Sequence, residues 1–204
     1  MSGKIRLFIA IDLPEDVKDL LLETAVRLAK KVPNRAVRWV QREQMHLTLR
    51  FLGDTAVSQL PKLRQEITQV AARYQPIQLR LSGVGAFPQQ KRPRVVWAGL
   101  AGNLEPLREM QAKLEDQIVA MGWVREKRPF NPHITLGRVK NAQQARGLAW
   151  DVELAEIEFG VTAVQLVESE LRPSGAVYTV RHKAPLSANI TLTQSEGEQF
   201  AGME

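Results

Sequence analysis

Two of the three histidines in this chain stand in the same four-residue frame, His46-Leu47-Thr48-Leu49 and His133-Ile134-Thr135-Leu136. Because side chains alternate between the two faces of an extended strand, each histidine shares a face with the threonine two residues later. The opposite face is expected to be apolar, with Leu47, Leu49 and Phe51 in the first copy and Ile134 and Leu136 in the second. Each strand would then have one polar face for chemistry and one apolar face for a core.

Two imidazoles beside two hydroxyls suit the cleavage of a phosphodiester. A neutral imidazole can take the proton of an attacking water, and a charged imidazole can donate a proton to the departing oxygen. Histidine suits both roles because its ordinary pKa lies near neutrality. The hydroxyls of Thr48 and Thr135 can donate hydrogen bonds to the non-bridging phosphate oxygens, where charge accumulates. The duplicated pattern therefore predicts acid–base chemistry at phosphorus.

The residues alone leave other interpretations of these histidines open. A single His-x-Thr on a strand is most often a half-buried structural imidazole, whereas duplication at equivalent places favours a shared site. A zinc site needs three or four nitrogen, oxygen or sulfur ligands, and the chain has no cysteine and no adjacent acid that completes a set. We therefore expect no metal and no cofactor. The third histidine, His182, stands among cations and is interpreted as structural or solvent-exposed.

The elements around the two motifs repeat with the same offset of 87 residues that separates His46 from His133. At this offset the buried-strand pattern at 7–13 falls on 94–100, and the helical pattern after residue 14 falls on the one after Asn103. The order strand, helix, His-x-Thr strand, helix, strand thus occurs twice, at about 5–85 and 92–182. This repeat predicts one bilobal domain over residues 1–183, with both histidine strands at its junction, where pockets often form.

Charge is unevenly distributed along the chain, whose net charge is +6. Residues 184–204 hold three glutamates and no lysine or arginine, and this polar segment is expected to be a disordered tail. The basic remainder suits a polyanion such as RNA, although many proteins this basic bind no nucleic acid. No apolar run reaches the ~20 residues of a membrane span, and the first residues lack a secretory signal pattern. We therefore expect a cytoplasmic protein with no membrane partner.

These motifs resemble those of the two-histidine (2H) phosphoesterase superfamily, whose signature is a pair of His-x-Thr/Ser-x motifs. Within it, the chain is similar to the bacterial and archaeal RNA 2′,3′-cyclic phosphodiesterases, also called 2′-5′ RNA ligases. The similar segments are RLFIAIDLP, VRWVQREQMHLTLRFLGD, RVVWAGL, PHITLGR and LVESELRPSGAVYTV. They extend over roughly residues 4–182 and leave out the acidic tail.

The resemblance implies an α+β fold of two pseudo-symmetric lobes, with antiparallel sheets lining a central cleft and helices outside. It implies that His46 is the proton donor to the leaving oxygen and that His133 is the proton acceptor for water. Thr48, Thr135 and Arg138 would bind the phosphate. The implied substrate is an RNA end carrying a 2′,3′-cyclic phosphate, tRNA fragments included, and the implied product is a 2′-phosphate. A monomer is expected.

The resemblance also implies a second reaction, and it leaves one non-catalytic alternative open. Reversible 2′-5′ RNA ligation would use the same site, with a 5′-hydroxyl replacing water. A non-catalytic nucleotide-binding module of the same fold is the alternative from another functional class. Intact histidine and threonine in both motifs favour the enzyme.

Strand alternation does not account for two parts of the expected site. Arg138 has the opposite parity to His133 and would point away from it, unless a bulge at Gly137 re-aims it. A structural salt bridge is the alternative role for Arg138. For base recognition, Trp39, Phe87 and Phe130 lie near basic loops where one ring could stack on a terminal base, although each also suits packing in the core or a loop.

Overall fold

The computed structural model describes residues 3–145, 150, 152–173 and 175–187. This part of the chain contains nine strands and three α-helices, with short 3₁₀ turns at Arg42–Gln44 and Val57–Gln59. The helices are α1 (Glu15–Ala29), α2 (Leu60–Ala71) and α3 (Leu104–Ala120). The strands are β1 (Lys4–Asp12), β2 (Val37–Trp39), β3 (His46–Ala56), β4 (Ile77–Phe87), β5 (Val95–Gly102), β6 (His133–Val139), β7 (Glu158–Val161), β8 (Ala163–Arg172) and β9 (Gly175–Pro185).

All nine strands join a single sheet, in the order β7-β4-β5-β6-β3-β1-β8-β9, with β2 paired to β6. The paired strands run antiparallel. The expected α+β class is therefore confirmed, and the two expected sheets are continuous with each other. They join where β3 and β6, the two histidine strands, lie side by side at the middle of the sheet.

The two repeats exchange one strand each. β4 of the first repeat pairs with β5 of the second. β8, which the offset of 87 residues makes equivalent to β4, pairs with β1 of the first repeat. Each half of the sheet therefore contains strands from both repeats, so neither repeat can complete its half alone.

The main core lies between the helices and one face of the sheet. Each helix buries one apolar stripe, as the helical periodicity predicts. This face of the sheet carries Leu47 on β3 and Ile134 on β6, both almost completely buried. The buried helix residues include Val17, Leu21, Ala25 and Leu28 on α1, Leu63, Ile67 and Val70 on α2, and Leu107, Met110, Leu114 and Ile118 on α3.

The folded body extends further along the chain than the predicted boundary at residue 183. β9 pairs with β8 as far as Pro185, and both Ala184 and Leu186 are buried. The sequence does not indicate this extension, because these few apolar residues stand in a polar segment and their burial depends on the partner strand. Residues 188–204 lie outside the described residues, so the disorder of the tail remains a prediction.

The repeat predicts a short helix after the His133 strand, near 141–149. Residues 142–145 of this segment form a turn, and residues 146–149 lie outside the described residues. No helix in the described segments is long and apolar enough to cross a membrane.

Candidate active site where β3 meets β6

The two histidine strands meet through Leu47 and Ile134, which face each other in the antiparallel register. Each of these residues directly follows its histidine. Antiparallel pairing therefore sets His46 level with Thr135, and Thr48 level with His133, all on the face of the sheet opposite Leu47 and Ile134. This face, which we call the open face, lies away from the helices. The fold thus brings the four predicted motif residues together.

Both imidazoles are held by the same contact with the backbone. Nδ1 of His46 lies 2.7 Å from the carbonyl oxygen of Gln44, and Nδ1 of His133 lies 2.7 Å from the carbonyl oxygen of Asn131. In each case the carbonyl belongs to the residue two positions before the histidine. A carbonyl oxygen can only accept a hydrogen bond, so Nδ1 must carry the proton in both rings.

This contact leaves Nε2 as the reactive nitrogen of each ring. In the neutral ring Nε2 has a free lone pair and can accept a proton, and in the charged ring it can donate one. Nε2 of His46 lies 2.9 Å from the hydroxyl oxygen of Thr48, so the predicted sharing of a face places these groups in direct contact. The backbone anchors therefore prepare both nitrogens for general acid–base chemistry.

Aromatic side chains lie against both histidines. The ring of His46 lies 4.8 Å from Phe8 and 5.5 Å from Tyr178, measured between centroids. The ring of His133 lies 5.0 Å from Phe87, edge to face. Phe8 and Tyr178 belong to a small apolar cluster with Ala10 and Val167, separate from the main core. These packed aromatic rings restrict the rotation of the imidazoles and shield one side of each ring from water.

The surroundings lower the pKa of both imidazoles below the ordinary value for histidine. Burial is the largest cause in each case, since it disfavours the charged ring. The carbonyls of Gln44 and Asn131 act in the opposite direction, and Asp12 also raises the pKa of His46. The positive charge of Arg138 lowers the pKa of both rings. In the free protein both histidines are therefore mainly neutral at pH 7.

A bulge directs Arg138 to the open face, as the sequence suggested. Thr135 pairs with Trp97 on β5, and Gly137 pairs with the adjacent Val96, so Leu136 is the extra residue. The extra residue reverses the alternation, and Arg138 joins the face of His133 and Thr135. No ion pair in the described segments involves the side chain of Arg138, so a structural salt bridge does not explain it.

The first histidine strand contains a matching bulge that the sequence did not indicate. Thr48 pairs with Ala10 on β1, and Arg50 pairs with the adjacent Ile9, so Leu49 is the extra residue. Phe51 was expected on the apolar face, and that prediction was wrong. It lies opposite Phe8, with ring centroids 6.0 Å apart, and is 55% exposed.

Comparison with known proteins gives the family of this chain. The family model of the 2′-5′ RNA ligase superfamily matches residues 19–173, which include both His-x-Thr motifs. This chain belongs to the 2′-5′ RNA ligase superfamily. The resemblance seen in its motifs is thereby confirmed.

Several known proteins are similar to this member of the 2′-5′ RNA ligase superfamily along most of their length. The RNA 2′,3′-cyclic phosphodiesterase of Thermus thermophilus is 36% identical in sequence, and the match covers 95% of this chain and 96% of that protein. The protein of the same name from Methanothermobacter thermautotrophicus is 34% identical, and the match covers 86% of this chain and 96% of that protein. The crystal structure of E. coli LigT complexed with 3′-AMP is 29% identical and matches with a TM-score of 0.71, over 91% of this chain and 100% of that one.

Sequence reasoning missed several residues of this superfamily member's site. Phe8 and Tyr178 lie beside His46 only because β1 and β9 are brought there by the sheet. The repeat offset of 87 residues places Phe51 on Arg138, but the offset does not show which face of the strand either side chain occupies. By contrast, Trp39 and Phe130 pack against the main core, and Phe87 packs against His133.

The described residues of this superfamily member contain no group of three or more histidine, cysteine or acidic side chains that could hold a metal ion. His182 lies apart from the other two histidines. It faces the helices, where its Nε2 is 2.7 Å from the hydroxyl oxygen of Thr68 on α2, and it pairs across the sheet with the buried Leu166. This contact agrees with its interpretation as a structural residue.

Proposed function

We propose that this protein hydrolyses the 2′,3′-cyclic phosphate at the end of an RNA, leaving a 2′-phosphate and a free 3′-hydroxyl. The observation that carries the proposal is the pair of Nδ1-anchored imidazoles on the open face, with Arg138 beside them. The relatives named RNA 2′,3′-cyclic phosphodiesterase support the substrate class. The basic body of the chain suits a polyanion.

The two imidazoles would act on opposite sides of the phosphorus. Nε2 of His133 accepts a proton from water as the water oxygen bonds to phosphorus. Nε2 of His46, in its charged form, donates a proton to the ribose O3′ as the P–O3′ bond breaks. One proton is taken up and one is released, so after product leaves, a proton exchange through solvent restores both rings. The assignment of His46 as the donor rests on the resemblance, and the pH profiles of the single histidine variants test it.

Polar groups on the same face would hold the phosphate through this reaction. The hydroxyls of Thr48 and Thr135 donate hydrogen bonds to the non-bridging oxygens, and the guanidinium of Arg138 neutralises charge that grows on them. The exposed ring of Phe51 provides a surface on which the terminal base stacks. The open face would therefore bind base, sugar and phosphate together.

The decisive experiment uses an oligoribonucleotide that ends in a 2′,3′-cyclic phosphate, incubated with the protein in buffer containing EDTA. We expect the cyclic phosphate to be converted to a phosphomonoester, which a phosphomonoesterase can remove. Nuclease mapping should place this phosphate on O2′. A 3′-phosphate would overturn the assignment of the leaving oxygen. Binding without conversion would favour the nucleotide-binding module instead.

Finer features of the function have separate tests. A partner RNA with a 5′-hydroxyl, added to the same reaction, tests 2′-5′ ligation, which would appear as a longer product. We further propose that the substrates include tRNA fragments and that the protein acts as a monomer in the cytoplasm. Light scattering at assay concentration tests whether the protein is a monomer, and fractionation of cells tests its location.

A further inference from the structure

A second arginine faces Arg138 across the sheet. Arg38 on β2 and Arg138 on β6 are direct partners in the antiparallel register. Directly opposed residues of such a pair share a face, and their Cβ atoms lie about 4.5–5.5 Å apart. Both side chains are exposed. Arg38 therefore lies on the open face, next to the residue that reaches both histidines.

No carboxylate of the described residues forms an ion pair with either guanidinium group. Like charges directly opposite each other on a sheet are destabilising. Neither arginine takes part in any ion pair or side-chain hydrogen bond of the described segments, whereas Arg42, Arg50 and Arg181, for example, all bind carboxylates. A bound anion would offset this repulsion, and a guanidinium fork matches the geometry of phosphate.

The surroundings of Arg38 favour an incoming anion as well. Its Nη2 lies 3.3 Å from the point where a Cβ on Gly175 would stand, so the absence of a side chain there leaves space for the guanidinium. The nearby side-chain amide of Gln44 is also a donor, and it binds the carbonyl oxygen of Ala176 at 2.6 Å. The Arg38 guanidinium therefore has a second donor group near it, and it is exposed to an incoming ligand.

Arg38 lies on β2, and its guanidinium stands beside Gly175 of β9. Arg138 lies on β6, the strand of His133, and its charge acts on both imidazoles, whereas Arg38 is not among the charges that do. The two arginines are level with each other, three residues of β6 beyond Thr135, which is level with His46. The bulge at Leu136 takes up one of these residues, so at about 3.3 Å per residue the arginines lie roughly 7 Å along the sheet from that level. A separation of that size fits a different phosphate of the same chain.

We propose that Arg38 binds the phosphodiester that links the terminal nucleotide to the one before it. The inference rests on the proposed function and specifies it further. The site would prefer the end of an RNA chain over a free nucleoside 2′,3′-cyclic phosphate, because only the chain carries this second phosphate.

The test compares three substrates with the same terminal nucleoside: the nucleoside 2′,3′-cyclic phosphate, a dinucleotide with the same cyclic end, and that dinucleotide with an uncharged methylphosphonate linkage. For Arg38→Ala we expect kcat/KM on the charged dinucleotide to fall roughly tenfold or more, as for a lost charge-assisted hydrogen bond. The loss on the other two substrates should be no more than about twofold. Arg73→Ala removes an exposed arginine just after α2 and serves as the matched control.

Equal losses on all three substrates would overturn the inference, as would no loss on the charged dinucleotide. Calorimetric titration with the non-cyclic dinucleotide 2′-phosphate tests the subsite without turnover. We expect its Kd to rise roughly tenfold in Arg38→Ala and to stay unchanged in Arg73→Ala. If the wild-type protein hydrolyses none of the substrates, the proposed function fails, and this titration still decides the subsite.

Discussion

Phe51 and Arg138 hold equivalent places in the two halves of the protein, each five residues after its histidine and two residues after a bulged leucine. Both bulges reverse strand alternation and turn the next side chains over. One half thereby presents an aromatic ring on the open face, and the other presents a positive charge. The two roles proposed above, base stacking for Phe51 and phosphate binding for Arg138, therefore fall at equivalent places of the repeat.

The position of Phe51 gives the first prediction. Phe51→Ala should lower kcat/KM on a cyclic-phosphate RNA end by roughly tenfold, since stacking on a base contributes about 1–3 kcal/mol. Because the ring is 55% exposed, the free energy of unfolding should change by no more than about 0.5 kcal/mol. The control substrate has an abasic terminal ribose. An equal loss on that substrate would assign Phe51 a structural role.

The charge of Arg138 gives the second prediction. It lowers the pKa of both His46 and His133, so Arg138→Gln should raise both values. NMR titration of the imidazole protons measures this directly, and the chain has only three histidines to assign. His182 is the internal control and should titrate as in the wild type. Unchanged values for His46 and His133 would show that Arg138 points away from them.

The third prediction concerns the pH dependence of catalysis. The donor must be charged and the acceptor neutral, so the rate should follow a bell. Because burial lowers both pKa values in the free protein, the maximum of kcat/KM should lie below about pH 6.5, the ordinary pKa of histidine. Bound phosphate favours the charged rings, so the maximum of kcat should lie at higher pH. Coincident maxima above neutrality would contradict this difference.

The fourth prediction concerns the two histidines themselves. His46→Ala and His133→Ala should each lower kcat by roughly 10²–10⁴-fold, and the double variant should be little worse because the pair acts as a unit. His182→Ala is the control and should retain activity, since His182 contacts Thr68 on the helix side. Full activity in His133→Ala would refute the mechanism.

The pH profiles of the single variants assign the roles. A variant that lacks the acid should lose the decline in rate at high pH, and a variant that lacks the base should lose the decline in rate at low pH. If His46 is the donor, His46→Ala loses the high-pH decline. Loss of the low-pH decline instead would exchange the two roles and leave the pair intact.

The buried ion pair of Arg50 and Glu115 gives the fifth prediction. The bulge turns Arg50 toward α3, where its Nε lies 2.6 Å from the Glu115 carboxylate, with side chains 10% and 7% exposed. Glu115 also accepts the backbone N–H of Glu126 at 2.8 Å, and Arg50 donates to the carbonyl of Val124 at 2.5 Å. The pair thus anchors the loop that leads to His133.

Glu115→Ala should therefore lower the free energy of unfolding by about 3–5 kcal/mol, because it leaves a buried guanidinium without its partner. The double variant Arg50→Met, Glu115→Leu should lose less than the single one. Arg172→Ala breaks the exposed pair with Glu170 and should cost no more than about 1 kcal/mol. Urea unfolding measures all three. Similar small losses in Glu115→Ala and Arg172→Ala would show that the ion pair of Arg50 and Glu115 does not stabilise the fold more than an exposed pair does.

Several features of this protein were determined by the sequence itself. The alternation of side chains in a strand sets His46 beside Thr48 and His133 beside Thr135, whatever the strand pairs with. The apolar periodicity of α1 predicts the face it buries. The repeat offset of 87 residues identifies equivalent positions, and Gly137 indicated the bulge that turns Arg138. The repeat follows from comparing two segments of the sequence, and the other features depend on residues close together in the chain, where local geometry is enough.

Other features were decided only by the tertiary structure. The exchange of β4 and β8 between the repeats, the bulge at Leu49 and the burial of Leu186 depend on which strands become neighbours. The carbonyls of Gln44 and Asn131 that hold the imidazoles carry no sequence signal, because every residue has a carbonyl. Pairing between distant strands is settled by the packing of the whole sheet, so the orientation of Phe51, the walls of Phe8 and Tyr178, and the meeting of Arg38 with Arg138 appear only when the chain is folded.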